Sequence, residues 1–165
     1  MTTLTSTLYL STDSLTNPPQ FFSDKASVSW IVDWDLIFHG KTGLCKVHTN
    51  LLSESATATA ITTSWNSLIG TVRGSFSSIY SLNQSGLVLA NLTPNSVAGS
   101  STVYYYTGIS EGNQAPLINI PNGKSTLTIQ LLDTTEQKLI TSVPDYEIML
   151  FFEWVSDEVI DKNIL

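Results

Sequence analysis

The residues that come nearest to a chemical pattern are two aspartates, Asp33 and Asp35, in a chain of 165 residues. Side chains two apart on an extended strand share a face. Paired carboxylates on one face are what a glycosidase or a calcium site uses. Two positions alone specify neither, and a solvated outer strand face is the better account of them. The histidines are His39 and His48, and Cys45 is the sole cysteine. Cys45 and His48 are three apart, so a strand sends them to opposite faces, and four-ligand zinc spacing is absent. A Cys–His nucleophilic pair needs a proximity that spacing alone does not supply. No serine has the flanking glycines of a nucleophile elbow. Gly40, Lys41, Thr42 and Gly43 contain a Gly-Lys-Thr step, but the upstream glycine of a phosphate-binding loop is missing. The chain is therefore expected not to be an enzyme and to use no cofactor or metal.

Aromatic side chains are the better candidates for function. Tyr104, Tyr105 and Tyr106 are consecutive, so on a strand they alternate faces and at least one points outward. Exposed tyrosine suits protein interfaces and sugar stacking; edge or core packing is the alternative. Trp65 lies among polar residues in an expected loop, and Phe151 sits on the second face of a strand whose first face is apolar. These five residues form the candidate interface or ligand surface. Trp65 beside Asn66, and Tyr105 with Asn113, are the pairs a sugar site would use.

Composition narrows the partners. The net charge is -7 and Arg73 is the only arginine, so the basic stripe that phosphate binding demands is missing. Direct nucleic-acid binding is not expected. No apolar run approaches the ~20 residues of a membrane span. Met1 to Leu10 lacks the basic start and long apolar core of a signal peptide. Asn83 and Asn91 fall in glycosylation triplets, which arise by chance in a chain where roughly a quarter of residues are Ser or Thr. One cysteine permits no internal disulfide and mildly favours folding inside a cell. Charged residues make up 13% of the chain, about half the usual share. Low charge suits faces covered by neighbours, because charge is depleted at interface cores.

The elements that must position these residues read as short strands. Thr7 to Leu10 is the first, broken by Asn17, Pro18 and Pro19. Ser27 to Phe38 carries Val28, Trp30, Val32 and Trp34 in alternation, with Asp33 and Asp35 on the opposite face. A turn over His39 to Gly43 leads into Leu44 to Leu52, and the two strands are expected to form a long hairpin. Cys45, Val47, Thr49 and Leu51 mark the less polar face of the second. Ser53 to Thr63 reads as loop, and Trp65 to Arg73 is ambiguous. Gly86 to Leu92, Thr102 to Thr107, Leu117 to Ile120 and Ser125 to Leu132 follow, with a turn at Pro121, Asn122 and Gly123. Tyr146 to Val155 closes the series. Its face of Tyr146, Ile148, Leu150 and Phe152 is apolar, and its other face mixes Met149, Phe151 and Val155 with two glutamates. About eight strands without a long helix, joined by some long connections, predict an all-β sandwich of two packed antiparallel sheets with Greek-key crossing. One domain spans 1–165, with an N-terminal arm and an acidic tail, 156–165, expected to be mobile.

Two stretches carry a resemblance. Val28 to Phe38, followed by a turn and Cys45 to Val47, is one. Leu127 to Asp133, a short polar turn, and Pro144 to Glu153 is the other. Together they resemble the small single jelly-roll capsid proteins, penton or minor capsid components, of virophages, polinton-like viruses and nucleocytoplasmic large DNA viruses. The resemblance spans roughly residues 20 to 155. It implies a jelly roll of two four-stranded sheets that forms a homo-oligomer, such as a pentameric ring, and meets other capsid proteins in a virion assembled inside the host cell. It carries over no catalytic residue. The alternative function is a carbohydrate-binding or host-attachment module, since jelly rolls also serve as lectins.

Overall fold

The computed structural model describes residues 5–22, 24–55, 70–76, 87–92, 102–107, 115–133, 139 and 145–155. Among these are ten strands and one short helix. In chain order they are β1 (Thr5–Ser11), β2 (Gln20–Phe22), β3 (Asp24–Asp33), α1 (Trp34–Phe38), β4 (Leu44–Ser55), β5 (Gly70–Gly74), β6 (Leu87–Leu92), β7 (Thr102–Thr107), β8 (Leu117–Asn119), β9 (Lys124–Asp133) and β10 (Tyr146–Val155). Trp65 and the acidic tail lie outside the described residues. No helix among the described residues is long and apolar enough to cross a membrane.

The strands form two antiparallel five-stranded sheets. One runs β1-β10-β4-β7, with β8 also paired to β4; the other runs β2-β3-β9-β5-β6. Strands β7 and β8 share one edge of β4, which pairs with β7 through Asn50–Ser55 and with β8 through Leu44–Lys46. The pairing is nested along the chain. Strand β5 pairs with β6, β4 with β7, β3 with β9 and β1 with β10, each antiparallel. The first half of the chain thus pairs with the second half in reverse order.

This nesting corrects the expected hairpin. Strands β3 and β4 belong to different sheets, and their connection crosses the sandwich instead of turning back within a sheet. Strand β4 also runs on to Ser55, taking three residues from the expected loop. In the ambiguous stretch before Arg73, the described part from Gly70 is strand.

Alternation explains the core. Val28, Trp30 and Val32 of β3, Cys45, Val47 and Leu51 of β4, Leu127, Ile129 and Leu131 of β9, and Tyr146, Ile148, Leu150 and Phe152 of β10 are all buried in one cluster between the sheets. At roughly 1.5–3 kcal/mol per fully buried large side chain, this cluster is the main stabilising element. Trp30 Nε1–H donates to the Ser11 carbonyl at 3.1 Å and ties β3 to the end of β1.

The expected strand through Phe38 is a second correction. It ends at Asp33, and α1 takes over at Trp34. A strand continuing the alternation would bury Leu36 with Trp34 and Phe38. The helical turn instead places Trp34 and Phe38 four apart on one side, with ring centroids 6.2 Å apart. Leu36 is turned out, 72% exposed. Phe76 and Phe152 meet Trp34 edge-on at 5.7 and 6.3 Å, a geometry worth about 0.5–1.5 kcal/mol per pair beyond area burial. His39 ends the helix in the left-handed region at φ 53.

Candidate interaction surfaces and a polar cleft

The structure separates the two aspartates. Asp33 ends β3, where its carboxylate lies 3.8 Å from Lys124 Nζ. Asp35, in the first turn of α1, accepts the Gly123 amide at 3.0 Å. Trp34 N–H donates to the Gly123 carbonyl at 2.9 Å. Gly123 itself has φ +65, which suits glycine. The two carboxylates therefore anchor α1 and the end of β3 to the turn before β9, and do not share a strand face. Among the described residues, no three His, Cys, Asp or Glu side chains are grouped to hold a metal ion.

Cys45 and His48 fall on opposite faces of β4, as their spacing requires. Cys45 is fully buried, and burial pushes its thiol up to about 12. His48 lies on the outer face, with Nε2 3.3 Å from Glu153 Oε2 and its ring 5.8 Å from that of Phe151.

Phe151 is the candidate residue whose side chain can be followed, and it is half-buried in the middle of that outer face. The strand register builds the surroundings in rungs. Thr7, Phe151 and His48 form one; Tyr9, Met149 and Asn50 form the next; Ser11, Glu147 and Leu52 follow. Tyr9 is 58% exposed, and its hydroxyl donates to Glu147. That hydrogen bond, with desolvation and the carboxylate charge, pushes the phenol up to about 12. The three tyrosines lie on β7, where Tyr104 pairs with Ser53, Tyr105 with Leu52 and Tyr106 with Leu51. Position 105 thus shares the face of Glu147, while 104 and 106 share the face of the buried Leu51.

A second apolar surface lies at the far edge of the other sheet. Strand β2 is exposed throughout, with Phe22 at 76%, and Ile31 on the outward side of β3 is 63% exposed. The sequence reading did not single out these residues. Two adjacent phenylalanines after a Pro-Pro break were the available signal.

A cleft of about 260 Å³ opens beside α1, where the residues after β5, the Pro121–Gly123 turn and the start of β9 converge. Its floor is apolar, formed by Trp34, Phe76, Ile120 and Leu127. Among the described residues, its rim carries hydroxyls and amides and no charged side chain. Trp34 Nε1–H donates to Ser125 Oγ at 2.7 Å, and the Thr128 amide donates to Ser75 Oγ at 2.9 Å. Apart from the Pro-Asn-Gly turn, nothing local in the sequence marks this cleft. No family model matches the chain, and no similar curated protein or solved structure was found.

Proposed function

We propose that the chain is a structural virion protein of a DNA virus, a penton or minor capsid subunit whose sandwich associates with copies of itself and with other capsid proteins. The observation that carries this reading is the nested strand pairing, β5 with β6 out to β1 with β10, divided between two facing sheets. This nesting supports reading the sandwich as a jelly roll, the fold implied by the resemblance of the β3 and β9–β10 stretches to single jelly-roll capsid proteins. Fold alone does not decide function. Two further features support assembly. The chain is poor in charge, and its described residues form two chemically different, apolar-containing surfaces. One is the outer face around Tyr9, Met149 and Phe151; the other is the edge formed by Phe21, Phe22 and Ile31. A closed ring needs two unlike patches on every subunit.

Size-exclusion chromatography with light scattering over a range of concentrations tests the proposal. A discrete closed oligomer, with a pentamer as the expected size, supports it. A strict monomer at every concentration overturns it as a self-assembling subunit.

A further inference from the structure

We infer that the cleft beside α1 is a binding site for a small neutral saccharide, a single sugar ring at the end of a glycan. The inference is argued separately from the assembly reading, although the rim's Thr126 is the cross-strand partner of Ile31 on the β2–β3 surface. Three observations lead to it. The volume, about 260 Å³, is just under the ~300 Å³ at which small-molecule sites begin, so one ring fits and a folded partner does not.

The second observation is the chemistry of the rim. Among the described residues it presents Ser75, Ser125 and Thr126 hydroxyls with Asn119 and Asn122 amides, and no Asp, Glu, Lys, Arg or His. A charged ligand entering it would lose hydration without a counter-charge. Hydroxyls and amides each donate and accept, matching sugar hydroxyls, which do the same.

The third is that the hydroxyls are preset. Ser125 Oγ already accepts from Trp34 and Ser75 Oγ from the Thr128 amide, so each is held in place with its own proton left to donate. Trp34 is almost wholly buried and packed among Phe38, Phe76 and Phe152. It therefore fixes Ser125 and does not itself supply a stacking platform. Ile120 and Pro121 offer the apolar wall for the C–H side of the ring.

The test is amide and indole NMR of the full chain titrated with methyl glycosides of glucose, galactose, mannose and N-acetylglucosamine, and with sialic acid and glucuronic acid. At least one neutral glycoside is expected to give saturable shifts at Asn119, Asn122, Ser125 and the Trp34 indole proton. The double variant N119A/N122A, altered at two exposed side chains, is expected to weaken that binding about tenfold or more, equivalent to ~1.4 kcal/mol. Its fold and oligomeric state should be unchanged. The inference is overturned if no neutral glycoside shifts these resonances, if binding survives the double variant, or if only the acidic sugars bind. An altered oligomeric state in N119A/N122A would assign the cleft to subunit contact and equally overturn it.

Discussion

Thr12 closes the junction between the first and last strands. Its hydroxyl accepts the Tyr146 amide at 3.0 Å and donates to the Asp145 carboxylate at 2.9 Å, and its own amide donates to the Tyr146 carbonyl at 3.0 Å. Lys25 reaches the same carboxylate from β3 at 2.7 Å, so one acidic group links both sheets. The Lys25 hydrogen bond holds the Asp145 carboxyl below its ordinary value, helped by Thr12 and opposed by desolvation. A carboxylate with a depressed folded pKa stabilises the fold above its unfolded pKa of ~3.9, and loses that contribution as pH falls through the lower folded value. Asp145→Asn should therefore be less stable than the parent at pH 7, by no more than about 1 kcal/mol for so exposed a pair. The difference should shrink as pH drops below the carboxylate range, as read by denaturant titration at each pH. Two other hydroxyls have the opposite effect on stability. Thr49 Oγ1 and Tyr146 OH are buried with no hydrogen-bond partner among the described residues. An unsatisfied buried polar group costs about 1–3 kcal/mol, so Thr49→Val and Tyr146→Phe, which preserve shape, should each raise the denaturation midpoint. A fall in stability on Tyr146→Phe would mean that the hydroxyl does have a hydrogen-bond partner.

At the scale of elements, what was legible in the sequence follows from what periodicity encodes. Alternation tells which side chains share a face. It therefore placed the core residues of β4, β9 and β10 on the correct side and set β10 at Tyr146–Val155, the bounds observed. Periodicity does not tell which strand is the partner. The expected β3–β4 hairpin gives way because β3 pairs with β9 about a hundred positions on, as in Ser29 with Thr128. Helix α1 replaces the expected strand end without a signal in the alternation, because positions 34 and 38 share a face under both strand and helical spacing, and only Leu36 distinguishes them. The cleft was not legible because its rim joins Ser75 to Asn119–Thr126 through β5 pairing with β9. Strand β5 also carries a steric constraint. A Cβ on Gly74 would lie 2.8 Å from Leu89 Cδ1 and 3.0 Å from Phe76 Cδ2, both in the core. Gly74→Ala should thus cost about 1–3 kcal/mol through overpacking. Calorimetry should also find the added cost of Gly74→Ala much smaller in the Leu89→Ala background, measured against Leu89→Ala alone, where the opposing methyl is removed. An undiminished cost in the double variant would mean that Phe76, not Leu89, resists the added carbon.

For the whole molecule, the decisive property is how its two apolar surfaces are related. The outer-face patch centred on Phe151 and the β2 edge carrying Phe22 lie on different sheets and differ in composition. If they meet each other, the contact is heterologous, the kind a ring requires, and the ring closes where the rotation between subunits allows; if each meets its own copy, the contacts are isologous and give pairs. A charge placed in either patch separates the cases, because an unpaired charge in a desolvated contact costs several kcal/mol. In the heterologous arrangement, Phe151→Glu alone and Phe22→Glu alone should each be monomeric, since each lacks one of the two surfaces every contact needs. Mixed in equal amounts, they should form a dimer that grows no further, because the intact edge of the first variant meets the intact face of the second and both remaining surfaces are spoiled. In the isologous arrangement, each variant alone would still pair through its untouched patch. Light scattering on the two variants, separately and mixed, distinguishes these outcomes. Monomers that become dimers only on mixing are the expected result. Dimers from either variant alone would exclude a ring built from these two surfaces.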